Sequence, residues 1–482
     1  MVQLDFIRNK TYAGDHLKSL ILLFSFIQLN NANASLIAVM DTGTDLSHLD
    51  FSSKVWFNKN EKAGSSIDLD SDGFAGDING WDYTSNSSVL FDPKYQSLIT
   101  EDVKKFFNYY GKYDLGLLNG LSPELNWLTD NFDNQELIDK VNFLGSYIHG
   151  THVSGISVGG NNHAKLLTMK VIPSEYEDQH SPETEVKKTE RSNPLKTIDQ
   201  YKNELIDDAN EQVKQMIELN NYVHFHHVDV VNQSFGIGHT DAEDFIKAEF
   251  VNNFDRYPTQ LELALLIKIY FDHLLTEGRK MFKMAPQTLF VIAAGNDTSN
   301  NDLFPDFPSN VEAPNKIVVT ATLGFRKLAD FSNFGMSKVD VAAPGVGITS
   351  SAPTNTYIAL SGTSQAAPYV TNTISLIKDL NPNLAAIEIK EIILRTVDVK
   401  DWLKRKVRSS GIVNRERALK AAELTNTQSL DTAILNSHLL VQDVLTSKSF
   451  LKENRKLKIK FKPFRPSLII KRMYTANSSL FK

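Results

Sequence analysis

Three short motifs hold the residues whose types and spacing could do chemistry. Leu36-Ile37-Ala38-Val39-Met40-Asp41-Thr42-Gly43-Thr44-Asp45 reads as an apolar strand that ends in a carboxylate and a tight turn. His149-Gly150-Thr151-His152-Val153-Ser154-Gly155 sets a histidine among small residues suited to opening a buried helix. Ser361-Gly362-Thr363-Ser364-Gln365-Ala366-Ala367-Pro368 places a serine in a Gly- and Ala-rich turn that enters a helix. A serine hydroxyl is a poor nucleophile at neutral pH. It needs a base within hydrogen-bond reach, and the base needs an orienting carboxylate. Ser364, His149 and Asp41 can fill these roles, in the chain order Asp, His, Ser. A helix N-terminus at Ser364 also brings backbone N–H groups toward a developing oxyanion. A fourth stretch, Phe290-Val291-Ile292-Ala293-Ala294-Gly295-Asn296-Asp297, ends a strand in a glycine and an amide. Asn296 can donate its side-chain N–H to the same oxyanion.

The elements that must position these residues alternate along the chain. Leu36–Met40, Leu166–Ile172, Val228–Gln233, Thr288–Ala293, Lys316–Thr322 and Val339–Ala342 are apolar runs with little polar alternation. Such runs predict parallel strands buried on both faces. Glu204–Leu219, Gln260–Phe282, Ser364–Leu380, Leu384–Arg395 and Asn414–Glu423 read as helices between and after them. The expected fold is α/β, a doubly wound and mostly parallel sheet with helices on both faces. Two charged, weakly periodic stretches, residues 85–147 and 173–224, read as large helical or loop insertions on the surface.

Bulk properties bound the rest. The chain has 482 residues, 41% of them hydrophobic and 22% charged, enough for one large domain with appendages. Its net charge of −6 gives no reason to expect nucleic acid as a partner. With no cysteine there is no disulfide and no thiolate site. In residues 1–34, Lys18, the apolar stretch Leu20–Leu29 and Ala32-Asn33-Ala34 resemble a signal peptide, which predicts a secreted or periplasmic protein and otherwise a cytoplasmic one. The main domain is expected over residues 35–423 and a basic extension over 424–482. From Lys448 to Lys482 there are 11 lysines and arginines against one acid, Glu453. Within it, Lys456–Lys462 alternates charge and apolar side chains, as in a charged edge strand or a patch for anionic surfaces.

Taken together, the four motifs resemble those of the subtilisin-like serine peptidases, and the similarity runs from about Ser35 to Ala422. Val231-Asn232-Gln233-Ser234-Phe235-Gly236 resembles the family's edge strand that pairs with extended substrate. Val339–Gly345 and Gly411–Asn414 resemble two further landmarks. The resemblance implies Asp41, His149 and Ser364 as triad and Asn296 as oxyanion donor. It also implies Ser234, Phe235 and Gly236, with Ala293, Ala294 and Gly295, as peptide contacts around the primary specificity pocket. The implied activity is endopeptidase cleavage of polypeptides by a monomer; the alternative is a catalytically silent binding protein on the same fold. Departures from the family pattern are Ile148 in place of glycine, Gln365 in place of methionine, and the 108 residues separating Asp41 from His149. Residues 1–34 do not read as the pro-domain that members commonly carry.

Metal sites are a separate matter. Asp68-Leu69-Asp70-Ser71-Asp72-Gly73 spaces oxygen ligands as in the first half of an EF-hand loop, with Asp77 in reserve, and predicts a structural calcium. The resemblance adds Asp50 as a second calcium candidate. His224, His226 and His227 cluster without an evident carboxylate or cysteine partner, so zinc is not expected there. His152 reads as a helix residue supporting the site. Asp41-Thr42-Gly43 also matches the tripeptide of aspartic peptidases, but no second Asp-Thr-Gly or Asp-Ser-Gly occurs to complete a dyad.

Overall fold

A strand covered on both faces carries apolar side chains at successive positions, and these alternate between two cores. The computed structural model of the chain describes residues 34–173, 196–444 and 466–467. In chain order the strands are β1 (Leu36–Asp41), β2 (Gly80–Asp82), β3 (Lys165–Lys170), β4 (Val230–Gln233), β5 (Leu289–Ala293), β6 (Lys316–Leu323), β7 (Lys327–Leu328) and β8 (Val341–Pro344). They are followed by β9 (Ile348–Ala352), β10 (Thr356–Leu360), β11 (Asp398–Val399) and β12 (Gly411–Ile412). All six expected apolar runs are therefore strands. The sheet order is β11-β12-β8-β6-β5-β4-β1-β3-β2, with β7 attached to β6 and β9–β10 forming a separate hairpin. Pairing within the sheet is parallel except at β11–β12 and β6–β7. The α/β expectation holds.

The helices are α1 (Glu101–Asp114), α2 (Pro123–Asn131), α3 (Gln135–Tyr147), α4 (His149–Val158), α5 (Ile198–Phe225) and α6 (His239–Phe254). After them come α7 (Gln260–Glu277), α8 (Arg279–Met284), α9 (Thr363–Leu380), α10 (Ala386–Arg395), α11 (Arg415–Leu424) and α12 (Leu430–Leu440). From β1, Ile37 and Val39 join one core with Val153 of α4 and Ala366 and Val370 of α9. Ala38 and Met40 join the other with Leu205 and Met216 of α5 and Leu274 of α7. A single strand thus feeds both layers.

Three expectations need correction. Residues 198–224 are not a surface insertion: α5 is the crossover between β3 and β4, started by a Thr197–Gln200 capping box. Its Tyr201, Leu205, Ala209, Val213 and Met216 stripe is buried, and the charged opposite face hid that period. The single helix expected over Gln260–Phe282 breaks at Gly278 into α7 and α8. Beyond residue 423, where an appendage was expected to start, α12 packs on α10 and α11 and buries Ile434 in the core. The first insertion does form an added layer. Its three helices build their own core from Val103, Phe106, Phe107, Val141 and Leu144, closed by Ala352 and Ile358 of the hairpin. The leader and the alternating Lys456–Lys462 stretch lie outside the described residues.

One close approach sets the layout. Gly43, at φ +101°, turns the chain after β1, and a Cβ there would lie 2.3 Å from the Leu90 carbonyl oxygen. A Cβ on Gly150 of α4 would lie 2.1 Å from the Gly43 carbonyl oxygen. Backbone meets backbone here. Gly150→Ala should therefore destabilise the protein by about 1–3 kcal/mol through overpacking, read as a lower urea midpoint. Gly120, whose Cβ would meet nothing within 4 Å, is the control: Gly120→Ala should stay within about 0.5 kcal/mol.

Candidate active site

Asp41 sits at the end of β1 and His149 opens α4, which places them on facing backbone ends. His149 Nδ1 donates to Asp41 Oδ1 at 2.7 Å, and the Thr42 N–H donates to the same oxygen at 2.8 Å. Both side chains are 1% exposed, so Oδ1 is held by fixed donors rather than by water, while Oδ2 is buried without a hydrogen-bond partner. The donation fixes the imidazole tautomer and leaves Nε2 as the basic nitrogen. Thr42 clips the two elements together: its hydroxyl donates to the Ser146 carbonyl at 2.8 Å and accepts from the Gly150 N–H at 3.1 Å.

Ser364 lies in the first turn of α9. Its hydroxyl donates to the Ser234 carbonyl at 3.1 Å, and the Ser234 hydroxyl donates back to the Ser364 carbonyl at 3.0 Å. Asn232 Nδ2 holds the Ser234 hydroxyl at 2.8 Å, and Thr371 of α9 donates to Asn232 Oδ1 at 3.0 Å. The end of β4 is thereby stitched to α9. Asn296, just past β5, accepts from the Thr363 N–H at 3.0 Å and from its hydroxyl at 2.9 Å, both through Oδ1. The amide is thereby fixed with Nδ2 toward the turn before Ser364, where a Cβ on Gly362 would lie 3.4 Å from it.

α4 and α9 pack side by side, and a cavity of about 180 Å³ opens between these pieces and the first insertion. His149, Ser361 and Gln365 line it on one side, and Phe106, Phe107 and Tyr110 on the other. His152, one turn along α4, points its Nε2 at the carbonyl oxygens of Ile348 and Ile358, each at 3.0 Å. Burial, aided by nearby His149, pushes its pKa down to about 3. It is a neutral strut, as expected.

The expected substrate contacts divide. β4 is a central strand between β1 and β5, so it is not the edge strand that the resemblance implied. The chain leaves the sheet after Gln233, and there the Gly236 N–H donates to the Pro466 carbonyl at 3.1 Å, with Gly236 and Ser467 in a parallel bridge. No sequence signal marks that pairing. Along Ala293–Gly295, the Ala294 N–H donates to the Val319 carbonyl and the Gly295 N–H to the Thr363 hydroxyl. These two N–H groups are committed inside the protein, so the stretch can wall a pocket rather than pair with a strand.

The acidic loop gathers into two groups. Glu61, Asp68 and Asp70 form one, and Asp72, Asp77 and His226 the other. Asp70 Oδ1 is buried without a hydrogen-bond partner. Burial lifts the Asp77 carboxyl to about 7, reinforced by the Asp72 charge. The Tyr222 hydroxyl donates to Asp77, and His226 Nε2 lies 2.8 Å from Asp72 Oδ2 and 3.6 Å from Asp77 Oδ2. Within the histidine cluster, His226 thus has carboxylate partners after all, and Asp72 stands 154 positions away in sequence. Asp50 stands apart: its carboxylate accepts from the Ser351 hydroxyl at 2.5 Å and the Tyr357 hydroxyl at 2.9 Å.

Comparison with known proteins follows the same lines. The subtilase family pattern matches residues 32–426. Subtilisin-like protease 1 of Plasmodium vivax is 24% identical over 409 residues, spanning 82% of this chain and 49% of that protein. Subtilisin-like protease 2 of Plasmodium falciparum is 31% identical over 152 residues, 30% of this chain and 11% of that protein. Alkaline elastase YaB of Bacillus sp. is 33% identical over 136 residues, 28% of this chain and 34% of that protein. The chain thus spans at most about half the length of these relatives. Among solved structures, a cold-adapted subtilisin-like serine proteinase matches 80% of this chain and 89% of its own at 16% identity and a TM-score of 0.39. With the family pattern running from just before β1 to just past α11, the chain belongs to the subtilase family of serine peptidases.

Proposed function

We propose that this chain is an active serine endopeptidase that cuts polypeptides through an acyl-enzyme on Ser364. The buried 2.7 Å contact between His149 and Asp41 carries the reading, because a tautomer fixed at Nδ1 presents Nε2 as a base. In this mechanism Nε2 takes the Ser364 proton as Oγ attacks the scissile carbonyl. The same proton then goes to the leaving amine, and water repeats the cycle on the acyl-enzyme. Asn296 Nδ2 and the backbone at the start of α9 receive the oxyanion. Ser234–Gly236 pairs with extended substrate, and Ala293–Gly295 walls the pocket for the side chain before the cut.

The acidic loop fits a structural calcium. Glu61, Asp68 and Asp70 supply hard oxygen donors, and the orphaned Asp70 Oδ1 is the buried atom that a cation would satisfy. Calcium there would hold the 58–77 loop against α5 and take no part in the chemistry.

Four outcomes are expected. A fluorophosphonate probe should label the wild-type chain and not Ser364→Ala; a folded wild type that resists labelling would favour a silent binding protein on this fold. Asp41→Asn should lower kcat by on the order of 10³–10⁴ with little change in KM, because it destroys the tautomer lock. In subtilisin, loss of the oxyanion asparagine costs on the order of 10²–10³ in kcat, and Asn296→Ala should lose a similar factor. For the loop, calcium should raise the melting temperature of wild type, a chelator should reverse it, and Asp70→Asn should remove most of the calcium-dependent part.

A further inference from the structure

The cavity beside His149 is lined by groups that peptide hydrolysis itself does not use. Gln365 is 1% exposed, and neither its amide oxygen nor its nitrogen finds a hydrogen-bond partner. Asp114, at the end of α1, accepts the Ser361 hydroxyl at 2.7 Å and has no ion pair among the described residues. Phe106, Phe107 and Tyr110 supply aromatic walls. A purely apolar occupant would leave the carboxylate and the amide oxygen unsatisfied, and an anion would be repelled. A cation on an apolar stem suits the rings and both acceptors: ring faces along the stem, then the carboxylate and the amide oxygen for the head. The cavity borders His149, which must hand its proton to the leaving amine, and it touches none of Ser234–Gly236 or Ala293–Gly295. It therefore lies on the leaving-group side.

We propose that this cavity receives a lysine or arginine side chain from the substrate residue just after the scissile bond, with Asp114 and Gln365 as specificity-determining residues. The inference rests on the peptidase reading and narrows its substrate class. Burial raises the Asp114 carboxyl to about 6, which still leaves it mostly ionised at pH 7.5 or above. The test digests a denatured protein with the full-length chain and maps the cut sites by mass spectrometry. Lysine and arginine should be enriched about tenfold directly after the cut, and Asp114→Asn and Gln365→Met should each erase most of that enrichment. A labelled, active wild type without such enrichment, or enrichment that survives both substitutions, overturns the inference and leaves the peptidase reading intact. Should wild type neither label nor cut, the peptidase reading fails. Binding to the Ser364→Ala chain of two peptides that differ only by lysine or norleucine then decides, and equal affinity overturns the specificity claim.

The pairing of Gly236 with the chain's own C-terminal residues carries a second inference independently. The Gly236 N–H follows β4 just past Ser234, whose carbonyl holds the nucleophile, and it is taken by Pro466. Pro466 is buried and Ser467 exposed, as in a segment seated against a surface. We infer that Pro466–Ser467 occupies in cis the place of an extended substrate and competes with it, at the millimolar effective concentration typical of a tethered ligand. In the full chain, Pro466→Asp should lower KM for a quenched peptide several-fold, and a synthetic peptide of residues 461–472 should raise it again. An unchanged KM in an active enzyme overturns this. If turnover is absent, amide exchange at Gly236 in the Ser364→Ala chain decides: it should accelerate with Pro466→Asp, and equal rates count against the docking.

Discussion

Asp41 is a carboxylate buried to 1% exposure, and burying such a charge is costly unless fixed donors replace water. The Thr42 N–H supplies one donor from the same turn. The other must come from His149, and it arrives only because α4 begins directly against the turn that follows β1. That approach is close enough that Gly43 and Gly150 cannot carry a Cβ. The glycines therefore serve the ion site through the backbone. With α4 pinned at its first residues, its apolar side has one place to lie, across β1 and beside α9.

The second half of the site is held by the same sheet. In a parallel sheet all carboxyl ends emerge along one edge, and side chains that meet there come from strands far apart in sequence. β1 delivers Asp41, the chain after β4 delivers Ser234, and the chain after β5 delivers Asn296. Each then grips the start of α9 or α4 by a hydrogen bond rather than by packing alone. Asn296 illustrates the economy of this arrangement. Fixing its Oδ1 with two donors from Thr363 also decides where Nδ2 points. In the proposed mechanism this orients the oxyanion donor before any substrate arrives, which is the condition for electrostatic stabilisation in a transition state.

How much of this was legible in the sequence follows from which interactions are local. The six core strands could be read because burial on both faces leaves an unbroken apolar run that no amphipathic helix would show. Asp41, His149, Ser364 and Asn296 stand out as candidates because each sits in a short motif of small residues that marks a turn or helix start. α5 was half-hidden, since its buried stripe is flanked by charges on the other face. The pairing of His226 with Asp72 and Asp77 was not legible, because α5 folds back across the sheet to make it. The edge role expected of Val231–Gly236 failed over Val231–Gln233 for a related reason: only sheet topology says which strands are central.

The first insertion shows the same limit from the other side. Its charged, weakly periodic sequence reads as a surface addition, yet α1 is bound to the segment that leads into Ser364. Asn108 Oδ1 accepts the Ala359 N–H at 2.9 Å, and a Cβ on Gly111 would lie 2.7 Å from the Ala359 Cβ. Asp114 takes the Ser361 hydroxyl, which itself accepts the Gly347 N–H at 3.0 Å. Three residues spaced three apart on one face of α1 thus grip β10 and the turn that carries Gly362 to Ser364. A helix fastened there cannot shift without moving the nucleophile turn or reshaping the cavity beside His149. The insertion is therefore a wall of the cavity by construction, and under the peptidase reading substitutions along this face of α1 should act on which peptide fits before they disturb the contact between Asp41 and His149.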